Sequence, residues 1–141
     1  MRLPFLVLIA LLYITPAAVG QQTGDESSPP SQHSIFFGGG SAYVVAEERS
    51  RLQTFMNSVP DIKNYGIELQ GHTDDIGDRD YNLRLSQART LSVQRLLLAF
   101  PVDQAAIELL PLGEESPTFD NQTWQGKLNN RRVDVILRPL L

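Results

Sequence analysis

The sequence predicts a two-layer α/β sandwich with helices laid on a sheet. Three observations predict it. Residues 46–58 place Leu52, Phe55, Met56 and Val59 at i, i+3, i+4 and i+7, one apolar helical stripe. Residues 82–100 run without glycine or proline, long enough for about five helical turns. Between and after them, 65–71 and 132–137 alternate apolar with polar residues, the period of a strand with one buried face. With 141 residues, 42% apolar and 20% charged, the chain has room for one ordinary domain.

The elements follow in order. Arg2, the apolar run Phe5–Ile14 and the small residues Ala18-Val19-Gly20 give residues 1–20 the form of a secretory signal, too short in its apolar part to span a membrane comfortably. A retained, proline-bent anchor is the other reading of the same residues. Residues 21–34 hold no aliphatic or aromatic side chain and read as a disordered linker, with His33 a solvated linker histidine. The domain proper is expected over 35–141. Ile35-Phe36-Phe37 is its first strand, ended by Gly38-Gly39-Gly40, a strand-to-helix turn that lacks the Lys and Ser/Thr of a phosphate cradle. The first helix follows and Pro60 stops it. After the strand at 65–71 comes an acidic turn, Asp74 to Asp80, then the second helix, ended by Pro101. Ile107–Leu112 is a strand candidate, 113–127 a loop, and 132–137 the last strand, with Val133, Val135 and Leu137 on one face and Asp134 opposite.

One charge stands where the helical pattern asks for an apolar residue. Arg89 lies four residues after Leu85 and four before Val93, on the stripe those residues share with Leu96, Leu97 and Phe100. A guanidinium inside an apolar face needs a partner, because unpaired burial of charge is costly. Asn82 lies on the same side, and Asp74 on the loop entering the helix, the rim where βα units hold ligands. An acid, a guanidinium and an amide around one spot suit a zwitterion, its carboxylate on Arg89 and its ammonium on Asp74. They equally suit an internal Asp74–Arg89 salt bridge.

Those residues carry a family resemblance. Gly71-His72-Thr73-Asp74, Gly77, Tyr81-Asn82, Leu85-Ser86 and Arg89 resemble the signature of the OmpA-like C-terminal domain, as found in peptidoglycan-associated lipoproteins and flagellar stator proteins. Phe37 with Ser41-Ala42, Gly113-Glu114 with Pro117, and Asn130-Arg131-Arg132-Val133 extend it over about residues 35–138. The resemblance implies a β-α-β-α-β core with a mixed sheet and non-covalent binding of diaminopimelate-type peptidoglycan. The implied ligand contacts are Asp74 and Arg89 on the diaminopimelate, with Asn82 and Arg131 lining the groove and Thr73 and Leu85 shaping its walls. Either Arg131 or Arg132 would brace the loop. It further implies a periplasmic, wall-tethering role, an outer-membrane or envelope protein partner, weak homodimerisation and no cofactor. Where many relatives carry an acidic residue after the first-strand phenylalanine, this chain has three glycines; Thr90 replaces the usual alanine. No lipobox, barrel or stator-type transmembrane helix is legible, so a soluble or weakly anchored relative is expected.

Other classes fit poorly. A formal charge of −4 argues against a nucleic-acid binder that works through a basic surface. With no cysteine, thiol chemistry and Cys-based metal sites are excluded, and two histidines far apart argue against a His-rich metal site. His72 has no Ser or Cys nucleophile in an elbow context, which argues against a hydrolase. Counted from Asp74, an EF-hand would need Gly and Glu where Arg79 and Leu85 stand. The serious competitor is a protein-interaction adaptor on the same scaffold without wall affinity. Alanine at Asp74 or Arg89 is expected to weaken wall binding and to leave the fold intact.

Overall fold

The computed structural model describes residues 31–140. The signal at 1–20 and the linker up to residue 30 lie outside the described residues. Seven elements follow one another: β1 (Gln32–Phe36), α1 (Ala46–Ser58), β2 (Tyr65–His72), α2 (Arg79–Leu97), β3 (Ile107–Gly113), α3 (Trp124–Asn130) and β4 (Arg132–Pro139). The four strands form one mixed sheet in the order β1-β4-β2-β3. β2 and β3 are parallel, joined through α2, while β4 runs antiparallel to both β1 and β2.

The register sets the core. Ile67, Leu69 and Gly71 of β2 stand opposite Leu137, Val135 and Val133 of β4. Together with Ile35, these side chains turn one face of the sheet towards Leu52, Phe55 and Met56 of α1 and Val93 and Leu97 of α2, all buried. Each such burial contributes roughly 1.5–3 kcal/mol. The α1 stripe and its bounds agree with the periodicity of the sequence. The opposite face carries Ser34, Gln70, His72, Arg132 and Asp134 together with Phe36 and Ile136.

Three elements differ from the sequence reading. β1 starts at Gln32, inside the segment read as linker, because His33 and Ser34 pair with Val135 and Asp134 of β4. His33 is not solvated: its ring stacks on Phe55 at 5.1 Å, and burial lowers its pKa from the ordinary value. α2 begins at Arg79 rather than 82, since the Asp78 carboxylate accepts from the Tyr81 N–H at 2.7 Å and caps it. α3 occupies residues read as loop. The Thr123 hydroxyl accepts from the Gly126 N–H at 2.9 Å to start it, and seven residues are too few to show a period.

α2 approaches the sheet closely. A Cβ at Gly71 would lie 2.7 Å from the Ser86 carbonyl oxygen and 2.8 Å from Thr90 Cγ2. Glycine on the strand therefore lets the first half of α2 lie almost on the backbone of β2. Gly71→Ala is expected to destabilise the domain by about 1–3 kcal/mol, measured by urea unfolding, because backbone rather than a flexible side chain must move. An unchanged midpoint would contradict this close packing.

Candidate functional site

The loop after β2, the start of α2, the glycine turn after β1 and the end of α3 meet at one end of the sheet. Close packing of α2 makes its buried stripe polar there: Asn82, Ser86, Arg89 and Thr90 precede Val93 and Leu97. Leu85, expected on that stripe, is half-buried at its edge. The reason is space. Next to Gly71 and Gly113 only small or hydrogen-bonding side chains fit, and the Ser86 hydroxyl accepts from the Gly113 N–H at 3.0 Å.

Arg89 is 1% exposed. Its Nε donates to the Ser41 carbonyl at 2.8 Å, Nη1 to the His72 carbonyl at 2.9 Å and Nη2 to the Gly38 carbonyl at 3.0 Å. The guanidinium also stacks on Phe37, 5.1 Å from the ring centre. Three of its five N–H groups are thus committed to backbone, and two remain. Burial pulls its pKa down to about 10, opposed by the nearby Asp74 carboxylate, so it stays cationic at neutral pH.

The direct Asp74–Arg89 bridge open from the sequence is not formed among the described residues. Asp74 pairs with Arg131 instead, Nε donating to Oδ2 at 2.6 Å, while Oδ1 accepts from the Ile76 N–H at 3.1 Å. Both side chains are about nine-tenths buried. The indole of Trp124 covers the Arg131 guanidinium at 5.0 Å. Arg131 and Arg132 therefore divide the roles left open: the first holds Asp74, the second turns to the other face of the sheet, where its Nε lies 3.0 Å from Asp134 Oδ2.

Asn82 and Thr73 are fully enclosed, at 0% and 1% exposure. Asn82 Nδ2 donates to Glu114 Oε2 at 2.6 Å, and the Thr73 N–H donates to the Gly113 carbonyl at 2.9 Å. Yet Asn82 Oδ1 and Thr73 Oγ1 have no hydrogen-bond partner among the described residues. An unmade hydrogen bond on a buried polar atom costs about 1–3 kcal/mol. The structure thus brings Thr73, Asp74, Asn82, Arg89 and Arg131 to one loop cluster and leaves Leu85 beside it.

Sequence reasoning missed several participants. Trp124 lay in a segment without periodicity. The Gly38 and Ser41 carbonyls are backbone groups that no side-chain pattern announces. Tyr81 packs where the glycine turns come near: a Cβ at Gly40 (φ 62°) would lie 3.2 Å from its hydroxyl, and one at Gly77 (φ 100°) 3.1 Å from its ring. The acidic loop is mostly engaged, with Asp75 on Lys127 and Asp78 on the helix cap.

Two stability predictions follow from these contacts. Arg89→Ala would leave three carbonyls without their donor and is expected to cost about 3 kcal/mol or more, with Arg89→Lys losing less because the charge persists. Urea unfolding of both variants measures this, and a wild-type midpoint for Arg89→Ala would remove the bracing role. These three bonds argue against the expectation that this substitution spares the fold. The second concerns acid. Burial pushes the Asp134 carboxyl up, but His72, the Ser34 hydroxyl and the Arg132 guanidinium outweigh it and hold the pKa below the ordinary value. A depressed folded value contributes stability above the unfolded value, about 3.9, that is lost as pH falls through the folded one. Stability measured between pH 5 and pH 2 should therefore fall less steeply in Asp134→Asn than in the wild type.

Comparison with known proteins bears on the family and the fold. The family described as "OmpA family" matches residues 36–131. The outer-membrane lipoprotein YfiB of Pseudomonas aeruginosa is 32% identical over 103 residues, covering 73% of this chain and 61% of that protein. The peptidoglycan-associated lipoprotein of the same organism is 39% identical over 77 residues, 53% of this chain and 46% of that one. The chain thus spans about half the length of the curated relatives it matches. The crystal structure of the peptidoglycan-associated lipoprotein from Burkholderia pseudomallei superposes with a TM-score of 0.70 at 30% identity, over 82% of this chain and 98% of that one. With the family pattern matched from the first strand to Arg131, the chain belongs to the OmpA family.

Proposed function

We propose that this domain binds peptidoglycan without covalent chemistry, through the diaminopimelate of the stem peptide, and so tethers its carrier to the cell wall in the bacterial envelope. The observation that carries the proposal is the pair of enclosed, unpartnered oxygens, Thr73 Oγ1 and Asn82 Oδ1, on either side of the Asp74 loop. With the Asp74 carboxylate they are three acceptors for the three N–H groups of an ammonium. The carboxylate of the same zwitterion takes the two free N–H groups of Arg89, reached as the Gly38–Ser41 turn gives way. Arg131 neutralises Asp74 while no ligand is there, and Leu85 borders the groove. The names of the relatives support this reading, since two of them are peptidoglycan-associated lipoproteins. Their outer-membrane names support an envelope location. An envelope protein partner and weak self-association belong to the same proposal.

Two charge-assisted contacts of about 1.5–3 kcal/mol each give modest affinity for one stem peptide, and a polymeric wall adds local rebinding. Asp74→Ala is expected to weaken co-sedimentation with diaminopimelate-type sacculi by about tenfold or more while circular dichroism stays unchanged. Retention equal to wild type would displace the site. Sacculi whose stem peptides carry lysine or an amidated diaminopimelate lack the free carboxylate and should be held less well. Equal retention of both kinds would end the zwitterion assignment and favour the adaptor reading.

A further inference from the structure

The loop cluster holds two guanidiniums against one carboxylate. Arg89 and Arg131 are both buried, and Asp74 is the acid that stands with them. The other acids nearby are engaged elsewhere: Asp75 on Lys127, Asp78 on the helix cap and Glu114 on Asn82. The turn after β1 adds none, being Gly38-Gly39-Gly40-Ser41. Burial acts most on the Arg89 pKa, Asp74 raises it and the Arg131 charge lowers it, so the two cations are close enough to repel. A zwitterion brings one charge of each sign and leaves the surplus positive charge in place. An enclosed charge without a counter-charge is costly, and a second carboxylate would remove that cost.

Arg131 has the groups to receive it. Its Nε is spent on Asp74 Oδ2 at 2.6 Å, while Nη1 and Nη2 have no hydrogen-bond partner among the described residues. Neither nitrogen is sealed from solvent, unlike Thr73 Oγ1 and Asn82 Oδ1. The Trp124 indole covers the guanidinium at 5.0 Å, and the glycine turn comes close on the Nη side, where a Cβ at Gly39 would lie 3.4 Å from Nη1. A stacked guanidinium with a free edge takes both oxygens of a carboxylate in a planar fork. We infer that Arg131 receives a second carboxylate of the ligand, so that the site prefers stem peptides ending in diaminopimelate, with the main-chain carboxyl of that residue free. This rests on the stem-peptide reading above. In such a peptide the side-chain end of diaminopimelate is the zwitterion held by Asp74 and Arg89, and its three methylenes give the main-chain carboxylate reach to Arg131. A stem continued beyond diaminopimelate has an uncharged amide at that place.

The test is an NMR titration of the protein with L-Ala-γ-D-Glu-meso-diaminopimelate in one arm. The other arm uses the same peptide with an amide in place of the main-chain carboxyl of its last residue. The signal followed is the indole N–H of Trp124, the one tryptophan of the chain. The wild type is expected to bind the first peptide about tenfold more tightly than the second. Arg131→Gln should bring that ratio to about one, whereas a purely structural role would weaken both peptides together and leave the ratio unchanged. Gly39→Asp sets a carboxylate beside Nη1 while the Asp74–Arg131 pair stays, and it should lower the ratio even if Arg131→Gln fails to fold. Equal midpoints in the wild type, or a wild-type ratio in Gly39→Asp or in folded Arg131→Gln, would overturn the inference and leave the stem-peptide reading standing. No saturable shift with either peptide would overturn both.

Discussion

The buried guanidinium of Arg89 is the constraint on which this domain turns. From one position on α2 it donates to the glycine turn after β1 at two carbonyls and to the end of β2 at a third. Among the described residues β4 lies between β1 and β2, so no strand-to-strand hydrogen bond joins these segments directly. The arginine does it with a planar fork that an ammonium could not copy. It also brings a positive charge under the Asp74 loop, so the same side chain that closes the fold prepares the electrostatics of the site.

The neighbouring charges then fall into pairs. Arg131 holds Asp74 and is capped by Trp124, while Arg132 holds Asp134 on the opposite face and is covered by Phe119. Consecutive residues of one strand start thus serve opposite faces of the sheet, as the two-residue period of a strand requires. Each pair is enclosed, and each would be costly to break by removing one partner. The side-chain atoms left unsatisfied among the described residues are the Thr73 hydroxyl and Asn82 amide oxygens beside Asp74, the His72 imidazole beside Asp134, and His33 Nε2 against Phe55. The two oxygens share one loop cluster, where the fold has kept polar atoms from water without giving them partners.

Much of this was legible in the sequence where side chains follow a period. The stripe Leu52, Phe55, Met56, Val59 located α1, and the alternation of 65–71 located β2. Arg89 was conspicuous because a charge interrupted an apolar stripe, and the motif residues from Gly71 to Arg89 led to the family. Its partners were not legible, because they are carbonyls of Gly38, Ser41 and His72 placed by tertiary structure. The polar half of α2 was hidden for a related reason: it depends on Gly71 allowing the helix close, and a periodicity of apolar residues is blind to that. β1 and α3 were misjudged where Ser34 and Thr123 act through hydrogen bonds rather than through burial of apolar surface.

The central claim is that Asp74 and Arg89 together read a zwitterion. The most direct measurement follows the Arg89 Nε–H and Asn82 side-chain amide signals by NMR while meso-diaminopimelate is added to about 20 mM. The account predicts saturable shifts of both signals in the wild type and their loss in Asp74→Ala. Unmoved Arg89 and Asn82 signals in a folded protein that still sediments with sacculi would contradict it, and wall binding would then have to lie elsewhere on the domain.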